Sequence, residues 1–406
     1  MKKILILLLL LLLVGCTTTP SPENAQTVPV QGGAAIPEPP EEIPEAPPVS
    51  IPEPEPEPEI DPKTETIHAL LAKMTLEEKV GQLFFVRCPS SGQVEALEQY
   101  HPGGYLLFLR DFQSPAGEWL TAEEFTANIA AYQTASQIPL LIGVDEEGGT
   151  VTRASRNPNL FPAKLKSPRT LFASGGMERI ATDAFDKSVT LLDLGINVNF
   201  APVADVSTDP SDFIYPRTLG QDAAATADYV RTVVQEMEIA RIGSVLKHFP
   251  GYGSNADTHT GIAVDERSYE TFLSSDFLPF AAGIEVGANC VLVSHNIVTC
   301  MDASLPASLS PEVHRILREE LGFDGVILTD DLAMSAVDEY AENGSAAVLA
   351  ILAGTDMIVT TDFAPQIEEV LTAVSDGTIS IEQIDSAVCR VLSWKYELGL
   401  LEDNHD

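Results

Sequence analysis

The stretch Val326-Ile327-Leu328-Thr329-Asp330-Asp331-Leu332-Ala333-Met334 is a short apolar run that stops on two carboxylates. It shows no polar alternation, so it reads as a strand buried on both faces, the kind found in parallel sheets covered by helices. Just upstream, residues 311–321 carry a helical pattern, with Ser310 as N-cap and Pro311 in the first helical position. The same pairing of buried strand and amphipathic helix recurs through the chain. Strands are expected at 83–87, 104–109, 140–144, 198–201, 244–249, 290–294, 326–329 and 357–360. Helices are expected at 121–134, 177–194, 223–241, 269–286, 311–321, 344–353 and 381–398. Residues 76–83, ahead of the first strand, also read as helix. Eight strands with intervening helices point to an α/β fold, a (β/α)8 TIM-type barrel forming one domain over residues 62–406. A doubly wound open sheet is the alternative, but no G-x-G-x-x-G turn follows the first strand.

Ahead of this body lies an address. Met1-Lys2-Lys3 is a basic start, residues 4–14 are unbroken apolar, and the run ends in Leu13-Val14-Gly15-Cys16. The run is short for a span of about 20 residues but fits the apolar core of a secretory signal. Its end resembles the bacterial lipobox, which implies cleavage after residue 15, lipidation of Cys16 and an extracytoplasmic protein anchored to the cell membrane. The plainer alternative is a secretory signal with an incidental cysteine. Residues 17–61 hold ten acids and no base among Pro-Glu repeats. Such a segment cannot bury enough apolar surface to fold and is expected to be a disordered, extended spacer over residues 16–61.

The formal charge of -37 argues against nucleic acid as a partner, since phosphate binding needs lysine and arginine. The five cysteines form no C-x-x-C pair, so neither a zinc site nor a redox motif is expected. Cys290 and Cys300 are close enough in sequence to bridge, but buried free thiols are the expectation.

Polar residues cluster just past the predicted strand ends, which in a barrel form the catalytic face. Asp145 follows the third strand in Gly143-Val144-Asp145-Glu146-Glu147-Gly148-Gly149, with Arg153 shortly after. The glycine pair is read as letting backbone approach a ligand closely. Strand four leads to Asn199-Phe200-Ala201-Pro202-Val203-Ala204-Asp205, followed by Arg217, a group suited to an acyl or hydroxyl oxygen. Strand five ends in Lys247-His248 and runs into Phe249-Pro250-Gly251-Tyr252-Gly253-Ser254-Asn255-Ala256-Asp257-Thr258-His259. There Asp257 is close enough to orient the His259 imidazole for proton transfer. Two histidines and an aspartate also suit a metal, but His248 ends a strand while His259 rides a loop, so no metal or other cofactor is expected. His295, after strand six, is a further candidate for the pocket wall. Asp330 is placed to attack an anomeric carbon; the plain alternative is a helix N-cap.

Taken together, these segments resemble glycoside hydrolase family 3, in particular its single-domain β-N-acetylglucosaminidases, over residues 64–400. The most specific element is Lys-His-Phe-Pro-Gly-x-Gly followed by Asp-x-His. The resemblance implies a retaining mechanism, with Asp330 as nucleophile, His259 as acid and then base, and Asp257 assisting. It also implies that Asp145, Arg153, Arg217, Lys247 and His248 bind the sugar. The implied substrate is a carbohydrate: terminal β-linked N-acetylglucosamine on peptidoglycan fragments, taken by a monomer. A β-glucosidase or β-xylosidase, a phosphorolytic relative, and a non-catalytic glycan-binding lipoprotein are the alternatives. The chain departs from the family at three points. Tyr252 stands where a second histidine is usual, Thr258 replaces a serine, and the loop to His259 is about one residue short.

Overall fold

In the computed structural model, residues 61–255, 263–334, 337, 340 and 345–401 are described. Eight parallel strands carry the fold: β1 (Phe84–Arg87), β2 (Gly104–Leu107), β3 (Leu141–Val144), β4 (Val198–Asn199), β5 (Gly243–Phe249), β6 (Cys290–Val293), β7 (Val326–Thr329) and β8 (Ile358–Thr360). They hydrogen-bond in the order β8-β1-β2-β3-β4-β5-β6-β7. A parallel bridge between Leu328 and Met357 joins the two ends of that row, so the sheet closes on itself. The expected α/β architecture, a (β/α)8 barrel, is therefore what the chain forms. A separate two-stranded ribbon pairs Val264–Asp265 with Ile297–Val298 outside the barrel.

The lack of polar alternation has a direct cause. Inward residues Phe85, Leu106, Leu141, Val245, Leu292, Leu328 and Val359 fill the barrel, and Phe85 meets Phe200 edge-on at 5.2 Å. Their neighbours along the same strands, such as Phe84, Val86, Ile142, Leu246, Val291 and Ile327, pack outward beneath the helices. Both faces of every strand are dry, so polar residues have no place until the strand ends. Trp394 closes the floor against Gly243, where an added Cβ would lie 2.9 Å from its Nε1.

The helices begin where capping chemistry places them. Thr121 and Glu124 form a reciprocal capping box at Ala122–Ala135, and Ser310 accepts from the Val313 N–H at 3.3 Å. The helix expected at 177–194 is preceded by a shorter helical segment that begins at Pro168 after a Ser167 cap; the two are separated at Gly175–Gly176, whose backbone is not helical. The one expected at 269–286 is interrupted by a wide π turn at Phe272–Asp276, just before Pro279 removes a backbone donor. Helices Pro62–Leu71, Leu76–Gln82, Gln93–Tyr100 and Phe363–Ser375 complete the ring. Cys88, Cys290, Cys300 and Cys389 are all free thiols; Cys300 is exposed, not buried as expected.

Candidate active site

The C-terminal ends of the strands surround a cavity of about 270 Å³. Its wall includes Asp145, Arg153, Arg217, Lys247, His248 and Asp330, so six side chains singled out from scattered sequence segments meet in one place. Asp145, Lys247, His248 and Asp330 arrive at or just past the end of a buried strand, whereas Arg153 and Arg217 reach in from the longer loops after β3 and β4. Asp257 and His259, and the lipidation candidate Cys16, lie outside the described residues.

A chain of charges organises the wall. The Lys247 ammonium lies 2.7 Å from Asp145 Oδ1 and 2.7 Å from Glu147 Oε1. Asp145 also faces Arg153, 3.6 Å from Oδ2 to Nη2. Glu147 is fully enclosed and takes a two-pronged contact from Arg217, with Nε at 3.0 Å and Nη2 at 2.7 Å. Burial alone pushes the Glu147 carboxyl up, but the charges and hydrogen bonds of Arg217 and Lys247 more than offset this. They hold it well below the usual carboxylate range.

The same arginine sets the histidine. Arg217 Nη2 lies 3.0 Å from His248 Nε2, and a guanidinium only donates, so Nε2 accepts. The proton then sits on Nδ1, which donates to Asp205 Oδ2 at 2.7 Å. Asp205 also accepts the backbone N–H groups of His248 at 3.1 Å and Tyr252 at 2.7 Å. The imidazole is thus gripped from both sides, with its ring plane and tautomer fixed before any ligand arrives.

Asp330 follows β7, and one of its oxygens, Oδ1, accepts the Asp331 backbone N–H at 2.9 Å. The Asp331 carboxyl accepts from the Ala333 N–H and the Thr361 hydroxyl. Burial, reinforced by the neighbouring Asp330 charge, raises its pKa in spite of those hydrogen bonds. Of two adjacent acids, Asp331 therefore holds a proton more readily than an ordinary carboxylate.

Two expectations are corrected. Gly148 and Gly149 do not bring backbone to a ligand. Both have positive φ, and their missing Cβ atoms make room for the Lys166–Ser167 segment, whose Lys166 oxygen would lie 2.2 Å from a Cβ on Gly148. His295 is not on the cavity wall. It is fully buried, with Nδ1 2.7 Å from Ser308 Oγ and Nε2 3.1 Å from the Asp331 carbonyl, and so supports the turn after β7. Asn199 serves the scaffold: it accepts from the Glu146 N–H at 3.0 Å and fixes the start of the β3 loop. Sequence reasoning also missed Glu147, Asp205 and Arg87. Glu147 is the third of three consecutive acids, Asp205 sits in an apolar run, and Arg87 ends β1 at the wall.

The loop after β5 is anchored by Arg267, which donates to Asp265, Asp276 and the Gly251 carbonyl and lies over the Phe272 ring. Tyr252, the departure noted above, is buried, with its ring 5.5 Å from that of His248 and nearly perpendicular. It props the histidine from behind.

Comparisons with known proteins agree with this geometry. Residues 75–394 match the model of the glycosyl hydrolase family 3 N-terminal domain. A beta-hexosaminidase of Xylella fastidiosa is 32% identical over 321 residues, covering 77% of this chain and 91% of that protein. One from Nitrosomonas eutropha is 31% identical, covering 70% and 80%. Among solved structures, a family 3 β-N-acetylglucosaminidase from Paenibacillus superposes with a TM-score of 0.73 at 30% identity, covering 82% of this chain and 64% of that one. The chain therefore spans less than two thirds of that enzyme's length. A β-N-acetylhexosaminidase from Beutenbergia cavernae superposes with a TM-score of 0.71 at 28% identity, covering 80% and 99%. The chain belongs to glycoside hydrolase family 3 and is a glycoside hydrolase.

Proposed function

We propose that the protein is a retaining exo-β-N-acetylglucosaminidase that removes terminal β-linked N-acetylglucosamine from cell-wall fragments such as GlcNAc-MurNAc disaccharides and muropeptides. The observation that carries this reading is the position of Asp330, past the end of a buried strand, in the wall of the same cavity as Asp145, Arg153, Arg217, Lys247 and His248. The sugar type follows from the relatives, which are named beta-hexosaminidases and β-N-acetylglucosaminidases.

In this reading the fixed cations and Asp145 take the hydroxyls of the terminal sugar and set its first carbon over Asp330. The Asp330 carboxylate attacks that carbon as the bond to the leaving oxygen breaks, and His259 gives that oxygen a proton. His259, held by Asp257, then takes a proton from water, which attacks the same carbon, releases Asp330 and restores the original configuration. An imidazole in place of the usual second carboxylate is the distinctive part of the proposal. The signal and Cys16 would place the enzyme outside the cytoplasm on a lipid anchor, where wall fragments are released.

Release of p-nitrophenol from its β-N-acetylglucosaminide tests the assignment: Asp330→Ala should abolish it, and turnover like the wild type would remove Asp330 from the mechanism. Side-by-side rates on the glucoside and xyloside separate a glucosidase or xylosidase. Product analysis on muropeptides with and without phosphate separates hydrolysis from phosphorolysis.

A further inference from the structure

Four cationic side chains line the cavity, and three have carboxylate partners. Arg153 faces Asp145, Lys247 lies between Asp145 and Glu147, and Arg217 grips Glu147. Arg87 is different. Among the described residues it makes no hydrogen bond or ion pair, and its Nε is buried without an acceptor. Its guanidinium lies 4.1 Å from the centroid of the Phe108 ring, which Arg153 also approaches, at 5.5 Å. The backbone fixes the position firmly, since Arg87 ends β1 in register with Leu106 of β2.

A buried donor with no acceptor is unfavourable and calls for an occupant. Stacking on Phe108 takes up one face of the guanidinium and leaves its N–H edge for a planar, two-oxygen acceptor. A hydroxyl would satisfy one N–H only; a carboxylate matches the fork and brings its charge into direct contact, where Asp111 acts on Arg87 only at longer range. At long range the chain's formal charge of -37 repels anions, so selection for one has to come from a short contact of this kind.

We propose that Arg87 binds a carboxylate on the saccharide and that the enzyme is selective for acidic glycans. On the function proposed above, on which this inference rests, the group is the free lactyl carboxylate of a muramyl residue without a peptide stem, because a stem ties up that carboxyl as an amide; stem-free GlcNAc-MurNAc is therefore the favoured substrate. The test compares kcat/KM for GlcNAc-MurNAc with that for its lactyl methyl ester, which keeps the shape and removes the charge. The wild-type enzyme should prefer the free acid by about 10- to 100-fold, the range of a charge-assisted contact. Arg87→Met should bring the ratio to about one, and Arg87→Lys should leave it in between. Equal rates on acid and ester in the wild type overturn the proposal, as does an Arg87→Met enzyme that keeps the wild-type ratio. If Arg87→Met does not fold, the wild-type ratio and the Arg87→Lys ratio decide. Failure to cleave either disaccharide defeats the cell-wall reading instead. The carboxylate claim is then read from inhibition of p-nitrophenyl β-N-acetylglucosaminide cleavage by N-acetylmuramic acid and its methyl ester, with equal inhibition overturning it.

Discussion

Replacing Glu147 with glutamine probes the charge chain at its most enclosed point. Its side chain is 1% exposed and accepts three contacts: Arg217 Nε at 3.0 Å, Arg217 Nη2 at 2.7 Å and the Lys247 ammonium at 2.7 Å. Glutamine has one accepting oxygen. If its amide nitrogen replaces Oε2, it opposes Arg217 Nε; if it replaces Oε1, it opposes both Nη2 and the ammonium. The first arrangement is the cheaper, and it still leaves two buried cations without their shared charge. Removing one partner of a buried ion pair costs about 3–5 kcal/mol. Lys247 keeps Asp145 and Arg217 keeps His248, so the lower end, about 3 kcal/mol, is expected here. Urea unfolding of the wild type and Glu147→Gln measures it as a shift in midpoint at unchanged slope. The pH dependence adds a sign. The folded-state pKa of Glu147 is depressed, so its contribution is fully present above the unfolded value near 4.3 and is lost only as pH falls through the folded value. The difference between the two proteins should therefore be flat from about pH 5 to 8. A cost under about 1 kcal/mol, or a difference already shrinking at pH 5–6, would refute the reasoning.

Gly148→Ala should destabilise by about 2–4 kcal/mol, because φ is +95° and the new Cβ would meet the Lys166 carbonyl; thermal unfolding reads it. Lys395 is fully buried against Gln82 Oε1 at 2.6 Å, and burial pulls its pKa down to about 7. The unfolded chain then binds the extra proton between about pH 7 and 10, so stability should rise with pH there by up to ~1.4 kcal/mol per unit. Lys395→Met should abolish that rise, seen by urea titration at pH 7 and 9.5. His259→Ala should lose most activity on substrates with poor leaving groups and least on activated aryl glycosides, because acid assistance matters in proportion to leaving-group basicity.

The strands were legible because both of their faces are dry: Val326-Ile327-Leu328-Thr329 is strand from first residue to last, as read. Helix ends were less so. Within Pro168–Asp193 the glycine pair is a true break, so the helix from 177 was legible and the segment from Pro168 ahead of it was not. Helices Gln93–Tyr100 and Phe363–Ser375 are short or lack a side-chain cap at their start, so no local signal announced them. Within the site, residues ending predicted strands could be placed on the catalytic face by topology alone. The direction of a side chain past a strand end could not be read the same way. Of Asp145, Glu146 and Glu147, the first meets the cavity. The second turns back to Ser155 and the Arg153 N–H, and the third reaches across to Arg217. Asp205 and Arg87 show the same limit, since their roles depend on partners distant in sequence: His248 for one and Phe108 for the other.

The claim on which the account turns is that the Asp330 carboxylate forms the bond to the sugar. A slow, activated 5-fluoro-N-acetylglucosaminyl fluoride, followed by peptide mapping by mass spectrometry, tests it most directly. The account predicts one glycosyl adduct per chain, on Asp330, that is lost on further incubation. An adduct on another carboxylate, or turnover with inverted configuration and no adduct, would contradict it.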